Sequence, residues 1–335
     1  MGMNPVSSNP LEGWTVDRSA IGYIGTDLQR PECVLAEADG TLWCSDARGG
    51  VMRLNPDSSQ AVIVPKVTAP GPASLPNGIA FAENGDFLLA NWGKCAIERM
   101  SRDGQVSDLC TSLDGRSLGK ANFVLRDSKN RVWFTVTTRE DPWTRQLQTK
   151  AADGYIGVID EHGARIVADG FCGTNEIRFD LYEQWLYVVE STGWRISRLR
   201  VQPDATLTDR EVFGPSELPG IPDGFAFDAF GNLWVTLTMA DRLIALTPEG
   251  TMLTLLDDGD AQANAELRQH FDACTLTPEF MERTHGQIAP WMASIAFGGP
   301  DLRTVYLGSV LGTRIPFFRS PVAGRPMIHW HPGTV

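Results

Sequence analysis

Short apolar segments alternate with turn-forming residues along almost the whole chain, and large side chains within each segment recur at every second position. This period of two is typical of half-buried β-strands, whereas the three- to four-residue period of an amphipathic helix is weak almost everywhere. One unit, LPNGIAFAENGDFLLANWG at residues 75–93, returns in similar form as IPDGFAFDAFGNLWVTLTM at residues 221–239. The chain therefore repeats a structural unit.

The same layout of two paired strands, followed by a third, occurs six times. The six units begin at Pro31, Pro76, Ala121, Thr174, Pro222 and Met292. Repeats of roughly 40–50 residues with several strands each are typical of a β-propeller, in which each repeat forms one blade. The sequence therefore predicts an all-β fold, a six-bladed β-propeller.

A propeller must close into a ring, because an open end would leave sheet edges unpaired. The sixth blade needs an outer strand, and two segments could supply it: AIGYIGTD at residues 20–27, or PMIHWH near the C-terminus. We favour the N-terminal segment, because it would join the two ends of the chain. Residues 1–19 are then an N-terminal extension, and residues 20–335 form a single propeller.

Two insertions interrupt the repeat, at residues 138–152 within the third unit and at residues 258–291 between the fifth and sixth. The second contains the only convincing helical stretches, with Thr277 and Pro278 as the predicted cap and first turn. In an antiparallel blade, loops from the second to the third strand share a face with the connections between blades. We therefore expect both insertions on the face where the inner strands begin, where they would form a lid.

Polar residues occupy one position at the head of the inner strands. Aligned, these positions are Glu32, Asn77, Asn122, Asn175, Asp223 and Ala293. Inner strands line the central channel of a propeller, so five oxygen-bearing side chains should meet around its mouth. Such oxygens are ligands for a hard divalent cation, and without one the two carboxylates would repel each other.

A structural interpretation competes for part of this pattern. Pro76-Asn77-Gly78 and Pro222-Asp223-Gly224 have the composition of ordinary turns. Asn122 and Asn175 lack this frame, however, and Glu32 is not a turn former. The convergence of all five positions favours a metal site.

Composition and charge exclude other classes. The net charge of −12 argues against nucleic acid or an anionic membrane as a partner, and no apolar run is long enough to span a bilayer. The six cysteines form no C-x-x-C pair, so we expect free, buried thiols in a reducing cytoplasm. We expect a cytoplasmic protein with a small-molecule substrate, as a monomer or weak homo-oligomer.

The stretches PECVLAEADGTLW, TNEIRFD, PDGFAFDAFGNLWV and IAFGGPDLRTVYLGS resemble the senescence-marker-protein/regucalcin/gluconolactonase family of six-bladed propellers. The resemblance covers roughly residues 20–320. It implies a metal held by Glu32, Asn175 and Asp223. It also implies substrate contacts near Asn122, and at Lys120, where many members have arginine. Asn77 has no family counterpart that we can assign, and we group it with the substrate-binding residues.

The resemblance implies metal-dependent hydrolysis of a lactone, such as a sugar lactone. The cation would polarise the carbonyl, and Asp223 would act as general base or orient the water. Alternatively, Asp223 would accept a hydrogen bond from a hydroxide on the metal. The lid offers further candidate pocket residues: Trp143, Arg145, His285 and Trp291. For each of these, a surface or lid-core role competes.

Several alternatives stay open. All-oxygen ligands favour Ca²⁺, but Zn²⁺, Mn²⁺ or Fe²⁺ could occupy the same site. The same metal could serve an organophosphate-type hydrolase, or the propeller could bind calcium without catalysis. His329 and His331 could form a two-histidine metal pair, although a role in the tail is favoured. No G-x-S-x-G motif is present, which argues against a serine hydrolase.

Overall fold

The repeated units form six four-stranded antiparallel sheets in the computed structural model, which describes residues 8–66 and 73–330. In chain order, the strands are β1 (Gly22–Ile24), β2 (Val34–Ala36), β3 (Leu42–Asp46), β4 (Gly50–Leu54), β5 (Gln60–Ile63), β6 (Pro76–Phe81), β7 (Phe87–Asn91), β8 (Ala96–Met100), β9 (Val106–Cys110), β10 (Ser112–Leu113), β11 (Arg116–Ser117), β12 (Ala121–Arg126), β13 (Val132–Val136), β14 (Gly154–Asp160), β15 (Gly163–Phe171), β16 (Thr174–Phe179), β17 (Trp185–Glu190), β18 (Arg195–Val201), β19 (Leu207–Phe213), β20 (Ile221–Phe227), β21 (Leu233–Thr238), β22 (Arg242–Leu246), β23 (Met252–Asp257), β24 (Met292–Gly298), β25 (Thr304–Ser309) and β26 (Ile315–Arg319). The helices are α1 (Arg145–Thr149), α2 (Ala261–Asp272) and α3 (Pro278–Met281), with 3₁₀ turns at Arg18–Ala20 and Ile328–Trp330. The predicted six-bladed propeller is confirmed.

The sixth blade joins the two parts of the chain as predicted. Its strand order is β1-β26-β25-β24, and the outer pair has Gly22 opposite Phe317 and Ile24 opposite Ile315. The competing C-terminal segment supplies no strand to this blade in the described residues, because Ile328–Trp330 is a 3₁₀ turn. Strand β1 therefore closes the ring.

The turns between the first and second strands show why the repeat carries an acidic residue before a tryptophan. Asp127 Oδ1 accepts the N–H groups of Lys129 and Arg131, which holds the turn, and Asp127 Oδ2 accepts the indole N–H of Trp133 at 2.8 Å. Asp228 and Trp234 make the equivalent bond at 2.9 Å. Both indoles are fully buried between blades, so this one bond satisfies a donor that burial would otherwise leave unpaired.

The two insertions meet on one face of the propeller. Leu147 of α1 packs in one buried cluster with Leu267 and Phe271 of α2 and with Met281 of α3. Lys150 Nζ, just after α1, donates to the carbonyl of Asp272 at 3.2 Å. Helix α3 begins as predicted, because Thr277 caps it by accepting the N–H of Phe280 and Pro278 follows. Among the described residues, no helix is long and apolar enough to cross a membrane.

The described part of the N-terminal extension, residues 8–19, packs on the fifth blade. Asn9 Nδ2 donates to Asn232 Oδ1 at 2.6 Å, and the Val16 N–H donates to the Leu255 carbonyl at 2.8 Å. The side chain of Leu11 is buried. This stretch is therefore part of the propeller's packing.

All six cysteines are free, but their burial differs from the expectation of uniformly buried thiols. Cys33, Cys44 and Cys110 are buried, Cys95 and Cys172 are half-buried, and Cys274 is exposed. Cys274 follows α2 at the surface of an insertion, where no core surrounds it.

Candidate metal centre and active site

The structure brings the five polar head residues together at one mouth of the channel. Their exposed fractions are 8% or less, and all line one cavity of about 290 Å³. They are Glu32, Asn77, Asn122, Asn175 and Asp223, and we call these five residues the ring. At the sixth position, Ala293 is buried and contributes no oxygen-bearing side chain. Each residue stands at or just before the start of an inner strand, which explains why positions far apart in the chain converge.

The Pro-Asn-Gly and Pro-Asp-Gly tripeptides lie inside strands β6 and β20, so the turn interpretation is wrong for both. Each strand has an irregular register at this point. The glycines are needed for close approach between blades. A Cβ on Gly78 would lie 2.8 Å from the Asn122 carbonyl oxygen, and one on Gly224 would lie 2.6 Å from that of Ala293.

The irregular strand starts are held by hydroxyl groups of the neighbouring second strands. The Cys33 N–H donates to Ser45 Oγ at 3.1 Å, and the Phe123 N–H donates to Thr135 Oγ1 at 3.1 Å. The Gly224 N–H donates to Thr236 Oγ1 at 3.0 Å. A backbone group that the sheet leaves unpaired is thus satisfied beside the site, and the ring residues are held in place.

The side-chain amide of Asn77 forms its hydrogen bonds with other groups of the protein. Its Nδ2 donates to Glu32 Oε1 at 2.9 Å and to the Asn122 carbonyl at 3.1 Å, and its Oδ1 accepts from Arg30 Nη2 at 2.5 Å. An amide has two donors and one acceptor oxygen, and all three groups are engaged. Asn77 therefore orients Glu32, and its predicted contact with substrate stays a prediction.

Three other oxygens of the ring are buried without a hydrogen-bond partner: Glu32 Oε2, Asn122 Oδ1 and Asn175 Oδ1. Asp223 adds a carboxylate, whose Oδ1 accepts from Asn175 Nδ2 at 2.6 Å. Buried oxygens without donors are destabilising unless an ion or a water molecule completes them. The donor set, all oxygen with two carboxylates, fits a hard divalent cation. Within the described residues, no three His, Cys, Asp or Glu side chains cluster as a metal site, and three of the five residues of this ring are amides.

Burial disfavours the charged form of the carboxylates around the ring. It raises the pKa of Glu32 to about 8, although Arg30 opposes the shift, and nearby Asp223 and Glu176 add to it. It raises the pKa of Asp223 to about 6, against the hydrogen bond from Asn175. A divalent cation among these groups would reverse the penalty, because it stabilises their ionised forms.

Sequence reasoning missed Arg30 at the site and a charged pair deeper in the channel, whose arginine lines a cavity at the other end. Arg30 lines the cavity and binds Asn77. Glu176 and Arg178 form a buried ion pair, with Oε2 and Nη2 3.0 Å apart, and burial raises the pKa of Glu176 to about 7. The available signals were the position of Arg30 two residues before Glu32, and the Glu-x-Arg spacing on an inner strand.

The insertions supply part of the cavity wall. Of the four candidate lid residues, two line the cavity and two are exposed. Trp143 and Trp291 line the cavity. Arg145 is exposed and pairs with Glu140 at 3.5 Å, and His285 is exposed. Lys120 is half-buried and does not belong to the described lining, so its predicted contact with substrate stays a prediction.

His329 lies at the opposite end of the channel from the ring. Its Nε2 is 2.8 Å from the Ala36 carbonyl, and its ring packs edge-on to Phe81. This backbone contact supports the favoured role in the tail. The proposed partner, His331, lies outside the described residues.

Comparison with known proteins places the chain in a family. The profile of the SMP-30/gluconolactonase/LRE-like region matches residues 30–261, which is more than half of the chain. The protein belongs to this family, as the sequence motifs predicted.

Individual relatives are distant. A 6-deoxy-6-sulfogluconolactonase from Pseudomonas putida is 25% identical over 180 residues, or 51% of this chain and 52% of that protein, so the chain matches about half the length of this relative. Regucalcin from Xenopus laevis is 23% identical over 222 residues, which cover 64% of this chain and 70% of that protein.

Solved structures share the fold. A gluconolactonase from Xanthomonas campestris superposes with a TM-score of 0.65 and 20% identity over 89% of each chain. A calcium-binding regucalcin from Agrobacterium tumefaciens superposes with a TM-score of 0.65 and 15% identity, over 92% of this chain and 97% of that one. At this identity, the likeness concerns the architecture alone.

Proposed function

We propose that the protein is a divalent-metal-dependent lactonase whose active site is the ring cavity. The observation that carries the proposal is the set of three buried oxygens without donors, on Glu32, Asn122 and Asn175, beside the carboxylate of Asp223. Family membership supports the choice of lactone chemistry, because relatives of known name include gluconolactonases.

Glu32, Asn175 and Asp223 would hold the cation, and Asn122 offers a fourth oxygen. All four residues are buried, and three of them have an oxygen that the protein leaves unpaired. When bound, a divalent cation polarises a carbonyl group and stabilises the negative charge that develops on its oxygen. An all-oxygen set favours Ca²⁺, with Zn²⁺, Mn²⁺ and Fe²⁺ as alternatives.

Asp223 would take the proton from the attacking water. Its Oδ1 accepts the hydrogen bond from Asn175, so Oδ2 would contact both the cation and the attacking water molecule. As the water oxygen bonds to the carbonyl carbon, the ester C–O bond of the lactone breaks, and the proton passes to the leaving alkoxide. The product is a hydroxy acid. Asn175 and its neighbour Ser191, 3.2 Å from Asn175 Nδ2, would keep the carboxylate oriented.

The substrate's own oxygens would be held near Asn122, with Lys120 as a second contact. Arg30 would keep Asn77 in place, and Asn77 would keep Glu32 in place. Arg30 and Asn77 would then have a positioning role beside the proposed metal ligands.

The proposal is tested by elemental analysis of the purified protein, followed by a lactone screen with and without chelator. We expect one equivalent of a divalent metal, and turnover that chelation abolishes and the metal restores. Turnover unaffected by complete metal removal would contradict the mechanism.

A second candidate function is calcium binding without catalysis, which the structural likeness to a calcium-binding regucalcin favours. A stoichiometric metal without turnover of any lactone would support this candidate. One organophosphate included in the same screen distinguishes the lactonase from a phosphotriester hydrolase on the same metal.

A further inference from the structure

The ring forms only the floor of the cavity, and its walls have a different chemistry. Nine of the lining side chains are apolar, and they come from three blades and from both insertions. They are Leu75, Trp92, Trp143, Leu147, Ile221, Met239, Met281, Trp291 and Val310. Leu147 and Met281 belong to the hydrophobic core that joins the insertions. That core therefore extends to the surface that a substrate would contact.

Three tryptophans line the cavity: Trp92, Trp143 and Trp291. Trp92 and Trp143 pack edge to face, with centroids 5.7 Å apart and an interplanar angle of 79°. The indole N–H of Trp291 donates to the Thr284 carbonyl at 3.0 Å, so it is not available to a ligand. These contacts give a defined shape to the apolar part of the cavity that the tryptophans line, which we call the cleft.

The polar side chains of the wall are mostly engaged by the protein. Gln146 Nε2 donates to the carbonyls of Thr137 and Ala151 at 3.1 and 3.2 Å. Thr137 Oγ1 donates to the Thr174 carbonyl at 2.8 Å, and Ser191 Oγ donates to the Pro222 carbonyl at 2.7 Å. Among the described wall residues, Thr192 retains a buried hydroxyl without a partner, and the Thr238 hydroxyl makes no hydrogen bond to the protein. Tryptophan also stacks on sugars, but a polyhydroxylated sugar needs a partner for each of its hydroxyls, and this wall offers only the two threonine hydroxyls.

We propose that the substrate is a lactone with a short alkyl or aryl substituent, and not a polyhydroxylated sugar lactone. This inference rests on the proposed lactonase function. The carbonyl would lie at the ring, and the substituent would lie between Trp92, Trp143 and Met281. Each sugar hydroxyl buried there without a partner would weaken binding roughly ten-fold. The volume of about 290 Å³ is near the lower end of small-molecule pockets, roughly 300–1,000 Å³, which favours a short substituent.

The test compares kcat/KM for γ-butyrolactone, γ-hexalactone, γ-octalactone and D-glucono-1,5-lactone, each corrected for spontaneous hydrolysis. We expect kcat/KM to rise about four-fold for each added methylene until the cleft is full. γ-Octalactone should exceed the sugar lactone at least ten-fold. Equal or faster turnover of the sugar lactone would overturn this inference and leave the lactonase function standing. Failure to hydrolyse any lactone would overturn both.

Variants locate the preference in the cleft. Trp143→Ala should lower the ratio of kcat/KM for γ-octalactone over γ-butyrolactone about ten-fold, and Trp143→Phe should largely restore it. Trp92→Ala, on a blade instead of an insertion, gives an independent test if Trp143→Ala folds poorly. Trp330→Ala is the matched control, because Trp330 is also half-buried but lies at the opposite end of the channel. An unchanged ratio in both cleft variants would refute the assignment.

Discussion

The two ends of the central channel are built from the same inner strands, but they leave different atoms unpaired. At the ring, the buried atoms without partners are acceptor oxygens of Glu32, Asn122 and Asn175. The opposite cavity is lined by apolar strand ends and by the segment that contains His329. Its buried atoms without partners are guanidinium nitrogens of Arg178 and Arg325, which are donors.

This difference shows that cavity size does not identify the site. The opposite cavity is the larger, at about 370 Å³ against about 290 Å³. A cation needs acceptors, and the opposite end leaves donors unpaired. The distribution of unpaired acceptors therefore points to the ring. Four predictions test this contrast between the two ends.

The largest effect is expected for Asp223→Asn. Loss of the general base should lower kcat about 1,000-fold on the most active lactone, as measured by steady-state kinetics. Thermal unfolding should stay close to wild type, because burial already disfavours the charged form of this carboxyl. The control is Glu183→Gln in the opposite cavity, which should retain activity within two-fold. Asp223→Asn activity above a tenth of wild type would disprove the assigned role.

A bound cation should stabilise the folded protein, and this stabilisation should depend on the ring residues and not on residues at the opposite end of the channel. At a cation concentration about 100 times Kd, the free energy of unfolding should rise by about 2.7 kcal/mol, as measured by denaturation with and without chelator. Glu32→Gln should lose most of this increase, because it removes one charge from the donor set. His329→Gln, at the opposite end, should keep it. Equal stabilisation of both variants would place the cation elsewhere.

Asn77→Ala should act through Glu32. Removal of the amide that donates to Glu32 Oε1 should weaken metal affinity about 10- to 100-fold, as measured by competition with a chelator. With saturating metal, kcat should recover towards wild type. If Asn77 instead contacts the substrate, KM will stay raised at saturating metal, and this result would reject the positioning role.

The smallest effect concerns the opposite end and pH. Burial lowers the pKa of His329 to about 4, below its ordinary value of 6.5, although Glu37 and the Ala36 carbonyl oppose the shift. The folded state thus binds fewer protons than the unfolded state, so the stabilisation is complete above pH 6.5 and declines as the pH falls to about 4. The loss should be on the order of 1–3 kcal/mol. His329→Gln should flatten this part of the pH profile of thermal unfolding, and an unaltered slope would contradict the assignment.

The sequence by itself determined the architecture and the location of the ring. Strand periodicity and the six repeats are local properties, and an equal repeat places equivalent residues at equivalent points around an axis. The convergence of the five head residues follows from this regularity. The cap at Thr277 is a local signal within an insertion, and the N-terminal segment was favoured over one alternative to close the sixth blade. The Asp127–Trp133 turn is equally local, because its donors lie within a few residues of the acid.

Only the tertiary structure decided what each ring residue has left to offer. Asn77, Asn122 and Asn175 are equivalent in the repeat. The amide of Asn77 forms hydrogen bonds with Arg30 and Glu32, whereas the amide oxygens of the other two have no partner. The sequence also did not predict the irregular strand starts, the burial of Glu176 or the apolar walls of the cavity. The physical reason is that hydrogen bonds and burial depend on distances between blades and insertions, which no single repeat encodes.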